Sequence, residues 1–76
     1  MRVRLIGISP KKQPVKAEKG WYQLGGDASM DVSSLLALFG LTASGLSILR
    51  NGQHAAPDEK LADTDEIQIF IKSLGG

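Results

Sequence analysis

Residues 67–72, IQIFIK, alternate without a break. Ile67, Ile69 and Ile71 fall on one parity, and Gln68, Phe70 and Lys72 on the other. A period of two marks a half-buried strand, because successive side chains leave a strand on opposite faces. Such a strand cannot stand alone. It needs hydrogen-bonding neighbours on its edges and a second layer over its apolar face.

Other parts of the chain supply both. At the N-terminus, residues 2–8 alternate, with Val3 and Leu5 on one side and Arg2 and Arg4 on the other. Past Arg4 the pattern degrades, since Ile6 and Ile8 share the charged parity. Pro10, Pro14 and the lysines between and after them mark an exposed loop. A second strand ends in WYQLGG, with Tyr22 and Leu24 on one face and Trp21 and Gln23 on the other. Two strands in succession predict an antiparallel hairpin. Val32, Leu35, Leu36 and Phe39 then fall at i, i+3, i+4 and i+7, the stripe of a short helix. Ser29 or Asp31 can cap its start, and Gly40 supplies a left-handed stop. LSILR (46–50) alternates again, and Asn51-Gly52 is a hairpin turn because both residues accept positive φ. A short return strand runs from Gln53 to Ala55. Leu61 is expected as a plug beneath the helix, and Asp63-Thr64-Asp65 as the turn into the last strand. The predicted order is β β α β β β. One helix on one face of a mixed sheet of four to five strands is a two-layer α+β domain, and 76 residues allow one such domain, 1–76.

Composition closes off several chemistries. The chain has no cysteine, so it holds no disulfide, thiolate metal site or cysteine nucleophile. Its single histidine, His54, has no second ligand at metal spacing and reads as a surface strand residue. Gly25-Gly26 lacks the lysine and serine of a phosphate loop. Apolar runs fall far short of the ~18 residues of a membrane span, and MRVRLIGISP reads as a strand rather than a leader. The expected location is the cytoplasm. Charge is uneven. Residues 1–20 hold six cations against one acid, and residues 21–76 three cations against seven acids. The basic half lacks the interleaved aromatics that stack on bases, which argues against nucleic acid. Trp21 is expected as sheet packing, against the aliphatic stems of the basic loop.

After the last strand the character changes. Ser73-Leu74-Gly75-Gly76 carries no ionisable side chain, and two glycines close the sequence. At an average usage of roughly 7%, that pair arises by chance in about one chain in 200. Thin backbone beyond a strand can thread a channel that side chains would block. The sequence therefore points to a C-terminal carboxylate as the reactive group.

These features resemble the MoaD/ThiS family of ubiquitin-like sulfur carriers. The resemblance is carried by LSILRNGQ and LADTDEIQIFIKSLGG, in particular Asn51-Gly52, Asp63, Asp65, Ile67, Ile69, Phe70, Gly75 and Gly76. It extends over the whole chain in length and element order, and is specific from Leu46 onward. In two places the chain departs from the family. Thr64 stands where the family usually has glycine, so the turn geometry is expected to differ, and the 10–19 loop is longer than a minimal carrier needs.

The resemblance implies a ubiquitin-like β-grasp fold and a protein that is a co-substrate rather than an enzyme. A ubiquitin-activating-like adenylyltransferase would use ATP and magnesium to adenylate Gly76. A persulfide donor would then convert the acyl-adenylate to a thiocarboxylate, for delivery to a sulfur-accepting synthase subunit in molybdopterin, thiamine-thiazole or related biosynthesis. The carrier itself would bind no cofactor and no metal. Gly75 and Leu74 would lie in the partner's channel. Ile6, Phe70 and Leu49 would form an apolar docking patch on the open sheet face. Two other readings share the fold: a protein modifier joined to lysines through Gly76, and a binding module with no tail chemistry.

Overall fold

The computed structural model describes residues 1–25 and 30–72. The elements follow the predicted order: β1 (Arg2–Ile6), β2 (Tyr22–Gln23), α1 (Val32–Leu38), β3 (Leu46–Arg50), β4 (Gln53–His54) and β5 (Glu66–Ile71). They form one five-stranded sheet in the order β2-β1-β5-β3-β4. β5 lies at the centre, parallel to β1 and antiparallel to β3, and both outer hairpins are antiparallel. β1 is shorter than the alternation implied, because Gly7 turns to φ +70° and carries the chain off the sheet.

α1 covers one face. Asp31 is the N-cap, its carboxylate accepting the Ser34 N–H at 2.8 Å. Ser29, the other candidate, lies outside the described residues. Val32, Leu35, Leu36 and Phe39 are fully buried against Val3, Ile48, Ile67 and Ile69 of the sheet, with Leu61 buried alongside. Tyr22 closes the β2 side, edge-on to Phe39 with ring centroids 4.9 Å apart. Each large apolar side chain so buried contributes about 1.5–3 kcal/mol. A seven-residue helix has little stability of its own, so this packing is what holds it.

Ile71 breaks the expected pattern. It has the core parity of Ile67 and Ile69, yet it is 61% exposed. It pairs with half-buried Leu46 at the end of the sheet, where α1 no longer reaches. A helix of that length spans only about 10 Å, and parity buries a side chain only under cover.

The 10–19 loop has a structural task that its charge does not announce. The N–H groups of Lys11 and Lys12 both donate to the Phe39 carbonyl, at 2.9 and 3.1 Å. The helix end is closed further by Gly40 N–H to Ala37 and Leu41 N–H to Leu36, a Schellman arrangement around Gly40 at φ +71°. A Cβ on Gly40 would also stand 2.8 Å from the Lys11 Cβ. Gly40→Ala is therefore expected to cost about 2 kcal/mol, from left-handed strain plus the displaced loop. Urea unfolding measures it. A cost below about 0.5 kcal/mol would show that neither constraint is real.

Candidate functional site

β5 organises the open face of the sheet, the one α1 leaves uncovered. Its register with β1 places Phe70 beside Ile6 and Gln68 beside Arg4. Its register with β3 places Phe70 beside Ser47 and Gln68 beside Leu49, which in turn pairs with His54 of β4. The structure thus brings two of the expected docking residues into direct contact range, Ile6 and Phe70 as cross-strand partners. Leu49 sits diagonally, one row up and one strand over. Ile6 is 43% exposed, while Phe70 and Leu49 are half-buried. Leu74, Gly75 and Gly76 lie outside the described residues. The chain leaves the sheet at Lys72, whose N–H donates to the Gly45 carbonyl at 2.9 Å. The Ile6–Phe70 pair is therefore at the root of the last four residues.

What sets the register of β5 is a polar cluster at its other end. Asp65 is buried, 5% exposed. It accepts from the Ala62 N–H at 2.7 Å, the Arg50 Nε at 2.7 Å and the Asn51 side-chain amide at 3.0 Å. Arg50 also reaches Glu59 at 3.2 Å. The Asn51 side-chain oxygen accepts the Glu66 N–H at 2.9 Å, and the Glu66 carbonyl accepts the Asn51 N–H at 2.8 Å. Burial pushes the Asp65 carboxyl up, but the Ala62 N–H, Asn51 amide and Arg50 guanidinium outweigh it, and its pKa ends below the ordinary 3.8. Arg50 is held firmly protonated, chiefly by its hydrogen bond to Asp65. The turn needs no left-handed residue at Thr64. The non-glycine positive φ values among the described residues are at Lys19 and Asn51.

Sequence reading missed Arg50 as part of this cluster. The clue was present: Arg50 has the core parity of Ile48, and a charge on that parity calls for a buried partner. It also did not foresee that Trp21 would meet the arginines of β1. The ring partners are Arg2, with its guanidinium carbon 4.1 Å from the ring centroid, and Arg4 at 5.7 Å. Arg2 also pairs with Glu66 at 3.4 Å.

Other chemistry is sparse. Among the described residues no group of three or more His, Cys, Asp or Glu could hold a metal ion. No described helix is long and apolar enough to cross a membrane. Two surface hollows, of 270 and 360 Å³, are lined mainly by polar side chains of the Asp65 cluster and its neighbours.

No model of a known protein family matches the chain, and no curated protein matches it. A solved structure does. SAMP1 from Haloferax volcanii superposes with a TM-score of 0.65 at 20% sequence identity, over 99% of this chain and 97% of that one. The architecture is the ubiquitin-like β-grasp: a five-stranded mixed sheet grasping one helix.

Proposed function

We propose that this protein is a ubiquitin-like sulfur carrier that works through the carboxylate of Gly76. The reading takes Gly76 to carry the free terminus. An activating enzyme would bring ATP and magnesium, and a carboxylate oxygen would attack the α-phosphorus, releasing pyrophosphate. The resulting acyl-adenylate has AMP as its leaving group, where the free carboxylate had none. A persulfide would displace AMP, and a thiol would then cleave the new S–S bond, leaving a terminal thiocarboxylate. That sulfur would pass to a synthase subunit in molybdopterin, thiamine-thiazole or related biosynthesis. The chain is substrate throughout, and its own side chains serve to fold and to dock.

The observation that carries this reading is the placement of the Ile6–Phe70 pair. It lies on the open face, at the end of the central strand that leads into Ser73-Leu74-Gly75-Gly76. A partner seated there would sit beside the strand end after which Ser73-Leu74-Gly75-Gly76 follow in sequence. Intact mass spectrometry of protein from its native host tests the reading. Exchange of one terminal oxygen for sulfur supports the carrier. Conjugates with Gly-Gly-modified lysines would establish the modifier, which shares the adenylation step. Neither species would overturn both.

Phe70 supplies a second test. Phe70→Asp is expected to raise KM for the carrier in adenylation by about tenfold or more. The stability cost should stay near 1 kcal/mol, since the side chain is only half-buried. A large loss of stability with unchanged KM would make Phe70 a core residue instead.

A further inference from the structure

We infer that Asn51-Gly52 is a self-modification site that the Asp65 cluster holds shut in the folded protein. Once the cluster opens, the Gly52 nitrogen closes on the Asn51 side chain, ammonia is lost, and the acid that results cannot rebuild the turn. The inference takes nothing from the proposed tail chemistry.

The reactive pair follows from covalent chemistry. The backbone nitrogen after an asparagine can attack the side-chain Cγ and form a five-membered imide. Glycine hinders this least as the following residue, because it has no Cβ beside that nitrogen. Asn51 is the one asparagine of the sequence, and glycine follows it. The step forms the bond from Gly52 N to Asn51 Cγ and breaks the bond from Cγ to Nδ2. Nδ2 leaves as ammonia, taking the proton of the Gly52 N–H. Water then adds to either imide carbonyl and opens the ring to aspartate or to isoaspartate. The net change is one water in and one ammonia out, with no oxidant or reductant. Both residues are exposed, so water reaches them.

The fold sets the side chain against that reaction. The two residues are the whole loop between Arg50 and Gln53, with φ of +52° and +84°. The Asn51 carboxamide is turned toward β5. Its Nδ2 donates to Asp65 at 3.0 Å, and its Oδ1 accepts the Glu66 N–H at 2.9 Å. The Asn51 N–H is tied to the Glu66 carbonyl at 2.8 Å. Ring closure has to break both side-chain bonds and rotate Cγ toward Gly52. The products fail at the same points. An aspartate puts an oxygen where Nδ2 had donated, against the carboxylate of Asp65. An isoaspartate adds a methylene to the backbone of a two-residue loop, which disturbs the register Arg50↔Gln53 and Leu49↔His54. Either way the bonds that set the start of β5 are not re-formed. The modification is therefore one-way, and it marks molecules whose cluster has opened.

The test incubates the full-length protein at mildly alkaline pH, folded and in urea, and follows Asn51 by peptide mapping that separates aspartate from isoaspartate. In urea the amide should convert steadily to a mixture of the two acids. In the folded protein conversion should be about 100-fold slower, because it waits on local opening. Asp65→Ala should speed the folded rate about tenfold or more, since it removes one of the two side-chain bonds and loosens the cluster around the other. Where circular dichroism shows that variant unfolded, Asp65→Asn takes its place, with the same direction expected. Gly40→Ala weakens the fold at the far end of α1 and should leave the rate unchanged. Equal rates in the folded protein and in urea overturn the inference, as does an Asn51 that survives in urea. So does equal acceleration by Gly40→Ala and the Asp65 variant, which would mean that only global unfolding exposes the site. For the product, Asn51→Asp should unfold at lower urea than Asn51→Gly, which loses the same donor without adding a charge. A midpoint at or above that of Asn51→Gly would show that the acid is tolerated, and the one-way mark would be lost.

Discussion

Replacing Asp65 by alanine is expected to cost about 3 kcal/mol of folding stability. The loss follows from what the carboxylate leaves behind. The Ala62 N–H, the Arg50 Nε and the Asn51 amide all lose their acceptor at once, around a carboxylate that is itself only 5% exposed. Arg50 keeps Glu59, but at 3.2 Å and with both side chains about one-third exposed, a weaker pairing. A domain of this size has roughly 4–11 kcal/mol in total, so the variant should melt roughly 15 °C lower. Asp63→Ala is the internal comparison. Asp63 is the other acid of the same turn, but its side chain is 70% exposed and its contact with the N-terminal amine is 3.7 Å. Its removal should cost less than about 1 kcal/mol. Equal costs for the two would mean that the cluster is not what fixes the turn.

The same carboxylate gives the fold an acid limit. Its pKa in the folded protein lies below the ordinary 3.8. A lowered folded pKa means that the unfolded chain takes up the proton first as pH falls. The stabilisation is therefore complete above about pH 5, and is lost progressively as the pH drops through the folded value. Asp31, whose pKa is lowered chiefly by the Ser34 N–H, acts in the same direction from the helix cap. Urea midpoints taken between about pH 5 and pH 2 should fall in the native protein and fall less steeply in Asp65→Ala.

Local periodicity was enough to locate most of the fold. The stripe Val32–Leu35–Leu36–Phe39 is buried as its spacing requires, and Asn51-Gly52 turns with φ of +52° and +84°. What periodicity could not carry was tertiary context. Ile71 has the right parity but no helix above it. Arg2 and Arg4 meet Trp21 only because β2 folds back on β1, a contact that depends on where the 10–19 loop ends. That loop looked like solvated surface, and its backbone instead completes the C-terminus of α1. For the candidate site, the pairing of Ile6 with Phe70 followed once strand order was assumed. Arg4 did not, since an arginine on an exposed parity looks the same whether or not it has a partner.

Gly76→Val should separate tail chemistry from fold more sharply than any change on the sheet face. In the proposed reaction an activating enzyme must bring the α-phosphorus of ATP within bonding distance of the Gly76 carboxylate, and later admit a persulfide to the same carbonyl carbon. A β-branched side chain next to that carbon narrows both approaches and restricts the rotation that aligns them. Misplacement of a reacting group by about 1 Å costs on the order of 100-fold in rate. ATP–pyrophosphate exchange by the activating enzyme of the source organism should therefore fall about 100-fold or more. The melting temperature should not move, because position 76 lies five residues beyond Ile71, where β5 ends. Binding of the variant to the activating enzyme should persist, since the proposed docking residues Ile6, Phe70 and Leu49 are intact. That combination, binding without turnover, is the signature of a carboxylate that reacts. Undiminished exchange would leave the sheet face as the working part of the protein and the two glycines without a chemical role.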